Sequence, residues 1–565
     1  MDRKDGIEKI LVDVYGMEQG RAAASRILTL LDRFPIRVSA GEALFTEKDV
    51  VLITYADSLQ EPGRSPLDTL ARFAAAWFDQ VFSAIHILPF YPWSSDDGFS
   101  VVDFFSVDPK LGQWADIREL GRRFSLMFDF VLNHVSSKSQ WFLNYLNEVP
   151  GDRDLAIEVD PGTDLSAVTR PRTLPLLTPF TKVSGRTVHV WTTFSEDQID
   201  LNYKSLDVLE RMVEVLLFYV RQGAKMIRMD AVAYLWKEIG TSCIHLPETH
   251  AMVKLFRKIL DLVAPDTLIV TETNVPHAEN IAYFGENGDK AQMVYNFTLP
   301  PLLFHAIVKQ NAGALSAWSR GIALSDRRNT FFNFTASHDG IGVRPLEGIL
   351  PDAEIALLVD RVLANGGRIS YRTNPDGSKS PYELNITYVD AMKVPGRDPL
   401  HANRFLASQA MALSLPGVPG VYIQSVLGIQ NWIEGVVKTG MARSINRRKL
   451  PIEEIEQRLT HSDDIVAKIF YPYLEMIRLR RKQPAFHPNA DFSVLELDHR
   501  VFGIRREGGG QVVLALVNLS DQQVMVSPLA GQGEQMIDLF SGHRMTAGGQ
   551  VMLAPYQYAW LQVCR

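Results

Sequence analysis

The first forty-odd residues carry apolar side chains at the spacing of one face of a helix. Two such sets occur, the first at Ile7, Ile10, Leu11 and Val14 and the second at Ala24, Ile27, Leu28 and Leu31. This periodicity predicts a helical N-terminal extension over residues 1–45.

Beyond the extension, short β-branched runs alternate with long stretches that have the hydrophobic period of a helix. The runs cover residues 50–55, 84–89, 126–131, 226–231, 267–272, 292–297, 330–335 and 418–424. Runs this apolar are typical of strands buried on both faces, as in a parallel sheet. Eight strand–helix repeats predict an α/β fold of the (β/α)8 TIM barrel type, with an open doubly wound sheet as the alternative.

Two intervals between these runs are too long for simple connections. Residues 136–204, polar and rich in proline, follow the third strand, and residues 340–400, which include the turn-rich TNPDGSKSP, follow the seventh. From residue 490 onward short alternating strands with tight turns replace the helical period. We therefore predict a barrel from 46–135 and 205–489, an inserted domain over 136–204, an excursion over 340–400 and an antiparallel β-domain over 490–565.

Composition and charge exclude several classes of function. The net charge is −7, and the polar N-terminus lacks the apolar core of a secretory signal. Neither nucleic acid nor a membrane is an expected partner, and the expected state is a monomer or homodimer in the cytoplasm. The two cysteines, Cys243 and Cys564, are too few for a disulfide scaffold and are predicted to be structural.

Polar residues follow the predicted strands at their carboxyl ends, which meet at one mouth of a parallel barrel and carry the catalytic groups there. They are Asp57, Asn133, His134, Arg228, Asp230, Glu272, His338 and Asp339. Taken singly, each has a structural interpretation: the aspartates as helix caps, Glu272 and Arg228 as ion-pair partners, and the histidines as packing residues. Their placement at one rim favours a common site.

Three carboxylates from different strands, Asp230, Glu272 and Asp339, would be gathered in one pocket. Like charges crowded together are costly unless cations or a reaction use them. Glycoside cleavage uses such a set: one carboxylate attacks the anomeric carbon, a second with a raised pKa protonates the leaving oxygen, and a third stabilises the transition state. The sequence therefore indicates a glycoside-cleaving enzyme.

Four segments resemble the signature motifs of the α-amylase superfamily and occur in its order. They are DFVLNH (129–134), IRMDAVAY (227–234), VTET (270–273) and FTASHDGIG (334–342). Further stretches are similar to the sucrose phosphorylase group of that superfamily, namely LITYADS, HILPFYPWSSDDGF, GTSCIHLPETH, NFTLPPLLFHAI and SINRR. The resemblance covers roughly residues 46–565.

The resemblance implies a role for each matching residue. Asp230 would be the nucleophile, Glu272 the acid/base and Asp339 the transition-state stabiliser. The glucosyl unit would be surrounded by Asp57, His134, Phe194, Arg228, His338 and Arg443. Some amylases hold calcium near the residue that matches Asn133, but the phosphorylase group is not expected to need it, so we expect no metal.

Phosphorolysis follows from the resemblance alone: inorganic phosphate would attack the glucosyl-aspartate and release α-glucose 1-phosphate. The chain has no GxxxxGK loop, so side chains would have to hold the phosphate. Arg170 or Arg172 in the first excursion and Tyr382 in the second have suitable positions, although all three could equally be solvated loop residues. No resident cofactor is expected, and phosphate would act as a co-substrate.

The chain also departs from sucrose phosphorylases. It has the N-terminal helices and a longer excursion after strand seven, Glu383 stands where glutamine is expected, and Phe104 stands where histidine or tyrosine is expected near the glucosyl site. In these respects it looks more like glucosylglycerate phosphorylases, in which Glu383 would accept hydroxyl hydrogens of the glycerate acceptor while an arginine holds its carboxylate.

Several other functions stay open at this point. Sucrose phosphorylase and sucrose 6'-phosphate phosphorylase are the alternatives within the group. A hydrolase or transglucosidase would use the same three carboxylates without a phosphate site. A non-catalytic amylase-like protein is expected to have lost carboxylates, and all three are present.

Overall fold

Eight parallel strands close into a barrel in the computed structural model, which describes residues 3–34, 43–323, 327–374, 377–528, 535–546 and 549–564. We number the barrel strands 1 to 8 in chain order: Val51–Thr54, Ala84–Ile87, Ser125–Phe130, Ala224–Met229, Leu268–Thr271, Met293–Tyr295, Thr330–Phe334 and Val418–Tyr422. Each pairs in parallel with the next, and strand 8 pairs with strand 1.

The predicted (β/α)8 barrel is thereby confirmed, and the open-sheet alternative is wrong because strands 1 and 8 close the ring. Each strand begins and ends within two residues of the predicted run. The strands are almost wholly buried, which explains why apolar runs marked them so clearly.

Helices surround the barrel. The longer ones are Pro66–Trp77, Leu206–Arg221, Pro247–Val263, Leu299–Lys309, Gly313–Arg320, His401–Ser414, Ile452–Leu459 and Ile465–Arg480. Shorter ones are Trp114–Leu120, His277–Ile281, Ile423–Val426 and Ile433–Thr439. Local sequence fixes where they begin: the hydroxyl of Ser65 accepts a hydrogen bond from the Asp68 N–H, and Pro66 occupies the first helical position.

The N-terminal extension forms two helices, Arg3–Tyr15 and Met17–Asp32, which pack against Leu206–Arg221 and Pro247–Val263. Ile7, Leu11 and Ile27 are buried in this contact. The hydroxyl of Tyr15 donates to the Tyr203 carbonyl at 2.6 Å. The extension is therefore docked on the outside of the barrel; residues 35–42 of it lie outside the described part of the chain.

The two excursions leave the same rim of the barrel. The first contains helix Gln140–Leu146, the antiparallel pair His134–Ser136 and Gln198–Asp200, and the hairpin Leu177–Thr181 and Thr187–Trp191. The second contains helices Asp352–Ala364 and Tyr388–Ala391 and an antiparallel sheet of Ile341–Gly342, Lys379–Asn385 and Arg368–Thr373. Residues 375 and 376 of the turn-rich stretch lie outside the described residues.

The C-terminal segment is an antiparallel β-domain, as predicted. Its larger sheet contains, in spatial order, Asp491–Val494, Val501–Gly508, Gln511–Asn518, Tyr558–Cys564, Gln535–Asp538 and Arg544–Thr546. Val524–Val526 pairs with Val551–Leu553. Arg506, fully buried, donates to the carbonyls of Ser414 and His487 at 2.7 Å each and so ties this domain to the barrel.

Within the described residues, no helix combines the length and the apolar character that spanning a bilayer requires.

Candidate active site

A cavity opens at the rim where the carboxyl ends of the barrel strands meet. Among its lining residues are most of the predicted site residues, namely His134, Arg172, Phe194, Asp230, Glu272, His338, Asp339, Tyr382, Glu383 and Arg443. They follow strands 3, 4, 5 and 7, or belong to the two excursions, except Arg443, which lies in the loop after strand 8. Residues far apart in sequence thus meet at the edge that the strand order predicts.

Asp230 directly follows strand 4 and is held by an arginine on the same strand. Arg228 donates to Asp230 Oδ1 at 2.8 Å. The same guanidinium pairs with the buried Asp129, whose other oxygen lies 2.7 Å from Nε2 of His86. Arg228 therefore neutralises Asp230 from below the cavity and fixes its orientation.

Glu272 directly follows strand 5 and reaches towards Asp230. Its Oε2 accepts a hydrogen bond from the backbone N–H of Ala231 at 3.0 Å. Ala231, the residue after Asp230, has a positive φ of 49°, a conformation that alanine rarely adopts. This strained turn brings the carboxylate of Glu272 to the backbone next to Asp230.

Asp339 follows strand 7 and is surrounded by positive charge. Its Oδ1 lies 2.7 Å from Nη1 of Arg443 and 3.8 Å from Nη2 of Arg447. Burial opposes its ionisation, yet Arg443, followed by His338 and Arg447, holds the pKa of Asp339 well below the ordinary aspartate value. Asp339 is the permanently charged member of the three carboxylates.

The other two carboxylates have the opposite shift. Burial raises the pKa of Asp230 well above the usual aspartate range, and Glu272 adds to the rise while Arg228 opposes it. Burial likewise raises the pKa of Glu272, again against the effect of Arg228. The pair therefore retains a proton at a higher pH than isolated carboxyl groups would.

Glu383 is fully engaged by the protein itself. Its oxygens accept from Nε and Nη2 of Arg443 at 3.1 and 3.0 Å, and Oε1 also accepts from the Gly340 N–H at 3.0 Å. Its side chain is only 2% exposed. Glu383 thus holds Arg443 against Asp339 while lining the cavity, and its contact with an acceptor's hydroxyl groups stays a prediction.

Three residues whose sequence positions suggested a place near the substrate do not line the cavity. Asp57 forms an ion pair with Lys449 at 2.5 Å and does not line the cavity. Arg170 is directed to the Leu174 carbonyl rather than to the cavity. Phe104 is buried with its ring 5.3 Å from that of Trp141.

Arg172, two residues beyond Arg170, does line the cavity, together with Tyr382. Within the part of the chain that the structure describes, no carboxylate pairs with Arg172. Its guanidinium is therefore available for an anionic ligand.

Aromatic and histidine side chains also line the cavity. The ring of Phe99 stacks on His338 at 4.7 Å, and Phe194 lies 5.5 Å from His134. Burial lowers the pKa of both histidines, so they are neutral hydrogen-bonding groups at neutral pH. Phe194 has the cavity-facing position expected of an apolar platform.

Sequence reasoning missed Arg447, which lies beneath the cavity. Its Nε donates to the His338 carbonyl at 2.9 Å, and its Nη1 lies 2.8 Å from Asp97. Asp96, which lines the cavity, and Asp97 have positive φ values of 53° and 48°. The stretch SINRR, which contains Arg447, was part of the resemblance to the sucrose phosphorylase group and could have identified this residue.

A buried lysine lies behind the first excursion. Nζ of Lys237 donates to Asn133 Oδ1 at 2.7 Å and pairs with Asp200 at 2.5 Å. Its side chain is 2% exposed and that of Asp200 is fully buried. Lys237 thus joins the loop after strand 4 to the base of the excursion.

No group of three or more His, Cys, Asp or Glu side chains in the described ranges is arranged to hold a metal ion.

The substitution Lys237→Met is expected to destabilise the protein by about 3–5 kcal/mol, because Asp200 would stay buried without its counter-charge. Urea unfolding followed by tryptophan fluorescence measures the change. Lys204→Met is the matched control: it breaks an exposed pair with Glu238 at 2.6 Å, which is worth at most about 1 kcal/mol. Equal destabilisation by the two substitutions would contradict the buried-pair account.

Comparison with known proteins agrees with this architecture. Residues 80–339 match the alpha amylase catalytic domain, and residues 492–560 match the maltogenic amylase C-terminal domain. The solved structure of sucrose 6F-phosphate phosphorylase from Thermoanaerobacter thermosaccharolyticum superposes with a TM-score of 0.75 at 26% identity, covering 92% of this chain and 100% of that one.

Two curated relatives align over nearly the whole chain. Glucosylglycerate phosphorylase of Escherichia coli K12 is 47% identical over 99% of this chain and 100% of its own length. Glucosylglycerate phosphorylase of Spirochaeta thermophila is 45% identical over 99% of both chains. The resemblance indicated by the sequence motifs is confirmed, and the chain belongs to the alpha-amylase family.

Proposed function

We propose that the protein is a retaining glycoside phosphorylase that cleaves glucosylglycerate with inorganic phosphate to α-D-glucose 1-phosphate and D-glycerate. The observation that carries the proposal is a cavity lined both by the three carboxylates Asp230, Glu272 and Asp339 and by Arg172, a cation with no acidic partner among the described residues. The carboxylates suit glycoside cleavage, and the arginine suits an anionic co-substrate. The acceptor is proposed from the two relatives named glucosylglycerate phosphorylase.

In the first displacement, Asp230 attacks the anomeric carbon and Glu272 protonates the departing glycerate oxygen. Burial raises the pKa of both carboxyl groups, but only Asp230 accepts a hydrogen bond from Arg228, at 2.8 Å, so we assign the negative charge to Asp230 and the proton retained by the pair to Glu272. The product is a covalent glucosyl-aspartate. Asp339, kept ionised by Arg443, stabilises the positive charge that develops on the sugar ring.

In the second displacement, phosphate takes the place of glycerate and attacks the glucosyl-aspartate. Glu272, now deprotonated, removes the proton from the attacking phosphate oxygen and returns to its starting state. Two inversions give net retention of the α-configuration. Arg172 would bind the phosphate, and the chemistry requires no resident cofactor or metal.

A hydrolase or transglucosidase would share the three carboxylates but would have no use for an unpaired arginine at the cavity. The decisive experiment incubates the protein with phosphate and, separately, glucosylglycerate, sucrose, glucosylglycerol or sucrose 6'-phosphate, and assays glucose 1-phosphate. We expect release from glucosylglycerate at the highest kcat/KM. Release of glucose at the same rate with and without phosphate would overturn the proposal in favour of hydrolysis.

The substitution Arg172→Met is expected to raise the KM for phosphate about 10- to 100-fold, the value of one charge-assisted contact. Initial rates at varied phosphate and saturating glucosylglycerate measure it. Arg170→Met is the matched control, because that arginine lies in the same loop but outside the cavity. If both substitutions change the phosphate KM equally, Arg172 is not the phosphate ligand.

A cytoplasmic location, as monomer or homodimer, is part of the proposal. Both cysteines are free, Cys243 in a buried position, which supports a reducing compartment. Cell fractionation and light scattering of the purified protein test the location and the oligomeric state respectively.

A further inference from the structure

One wall of the cavity contains a polar side chain that the mechanism above does not use. Asn274 lies two residues after Glu272 and lines the cavity. Its Oδ1 is buried, and its amide makes no hydrogen bond with any described residue. A Cβ on Gly342 would lie 2.7 Å from both amide atoms, so the amide packs flat against Gly342. Buried side-chain amides normally form hydrogen bonds, so a cavity-lining amide without a partner among the described residues points to a ligand.

An arginine without an acidic partner follows on the same segment. Arg344 begins a short 3-10 turn, Arg344–Leu346, two residues after Gly342. The Val343 N–H donates to the Tyr382 carbonyl at 3.1 Å, which fixes the segment beside the cavity-lining strand. Nε of Arg344 is buried without a hydrogen-bond partner, and no described carboxylate forms an ion pair with Arg344.

The groups around Arg344 do not neutralise it. Tyr234, whose ring lies 5.4 Å from that of the cavity-lining Phe194, is within electrostatic reach of Arg344. Burial and the charge of Arg344 lower the pKa of His245 to about 4, so His245 is neutral. Arg344 is thus a positive charge close to Tyr234 and His245 on the loop after strand 4.

We infer that Asn274 and Arg344 form the subsite for the carboxylate of the acceptor, an inference that rests on the proposed glycerate acceptor. In glucosylglycerate the carboxylate is attached to the carbon that bears the glycosidic oxygen. Its oxygens therefore lie one carbon farther from that oxygen than do the oxygens of a phosphate bonded through it. Arg172, which lines the cavity, suits phosphate. Arg344 does not itself line the cavity but lies two residues along the chain from the Gly342 that packs against Asn274; it suits the more distant carboxylate, which its planar fork can bind with two hydrogen bonds.

The test runs the reaction in the direction of synthesis, with α-glucose 1-phosphate as donor and either D-glycerate or glycerol as acceptor. These acceptors differ only in a carboxylate against a hydroxymethyl group. We expect Arg344→Met to lower the glycerate-to-glycerol ratio of kcat/KM about 10- to 100-fold. Arg344→Lys, which keeps the charge but loses the fork, should lower it less, and Asn274→Asp, which adds a like charge, should also lower it.

Arg368→Met is the matched control, since Arg368 belongs to the same excursion but, among the described residues, donates only to the backbone carbonyls of Gly366 and Gly367. Its ratio should equal that of the wild type. A wild type that does not prefer glycerate to glycerol would refute the proposed acceptor and the subsite with it. A wild type that prefers glycerate, with an Arg344→Met variant that keeps the preference, would refute the subsite alone.

Discussion

Replacing Asp230 with asparagine is expected to lower kcat for phosphorolysis by at least about 10⁴-fold, because the amide cannot form the glucosyl-enzyme intermediate. The isosteric change keeps the side chain beside Arg228, which donates to it at 2.8 Å. Glucose 1-phosphate release from glucosylglycerate measures the loss. Unchanged thermal unfolding would establish that the variant is folded.

The residue that carries the covalent intermediate can be identified by labelling. A slow fluorinated glucosyl fluoride should trap the wild type as a covalent adduct and should leave Asp230→Asn unlabelled. Trypsin would cut after Arg228 and Lys237, releasing MDAVAYLWK, in which Asp230 is the only acidic side chain. A label on any other peptide, or an Asp230→Asn variant with near-normal activity, would refute the assignment of the nucleophile.

Replacing Glu272 with glutamine is expected to lower kcat/KM on glucosylglycerate about 10²- to 10⁴-fold, the usual contribution of a general acid. Glucosyl fluoride should be affected much less, because fluoride departs without being protonated. Comparing the two donors in the wild type and in the variant separates the loss of proton donation from any loss of substrate binding. Equal losses on both donors would contradict the acid role.

The dependence of activity on pH gives a second test of Glu272 as the general acid. Activity requires protonated Glu272, so it falls as pH rises through the pKa of that group. Because burial raises this pKa, the alkaline decline should begin above the range of an ordinary glutamate. Glu272→Gln cannot lose a proton, so its small residual activity should lack this decline.

The fold was predictable because its strands are buried on both faces. A strand such as Leu268–Thr271 has four consecutive buried residues and so stands out as an apolar run. The three carboxylates were predictable for a related reason: Asp230 and Glu272 directly follow such runs, Asp339 lies five residues after one, and parallel strands bring their carboxyl ends to one rim. Their positions after predicted strands were enough to predict that the three carboxylates lie at one site.

Ion pairing within the site could not be predicted in the same way. Arg443 pairs with Glu383, 60 residues away in sequence, and Arg447 pairs with Asp97, 350 residues away. The first pair depends on how the second excursion meets the loop after strand 8, and the second pair depends on how that loop meets the loop after strand 2. Two neighbouring arginines, Arg170 and Arg172, likewise differ only in where their loop directs them.

Arg443 joins the second excursion to one of the three carboxylates. The same guanidinium bonds Asp339, which follows strand 7, and Glu383, on the strand Lys379–Asn385 that forms part of the cavity wall. Moving that strand outward would separate Glu383 from Arg443 and leave the buried Glu383 carboxylate without its counterion, which is costly. The position of this strand and the low pKa of Asp339 therefore depend on one guanidinium, so the cavity wall and the charge of Asp339 form a single electrostatic assembly.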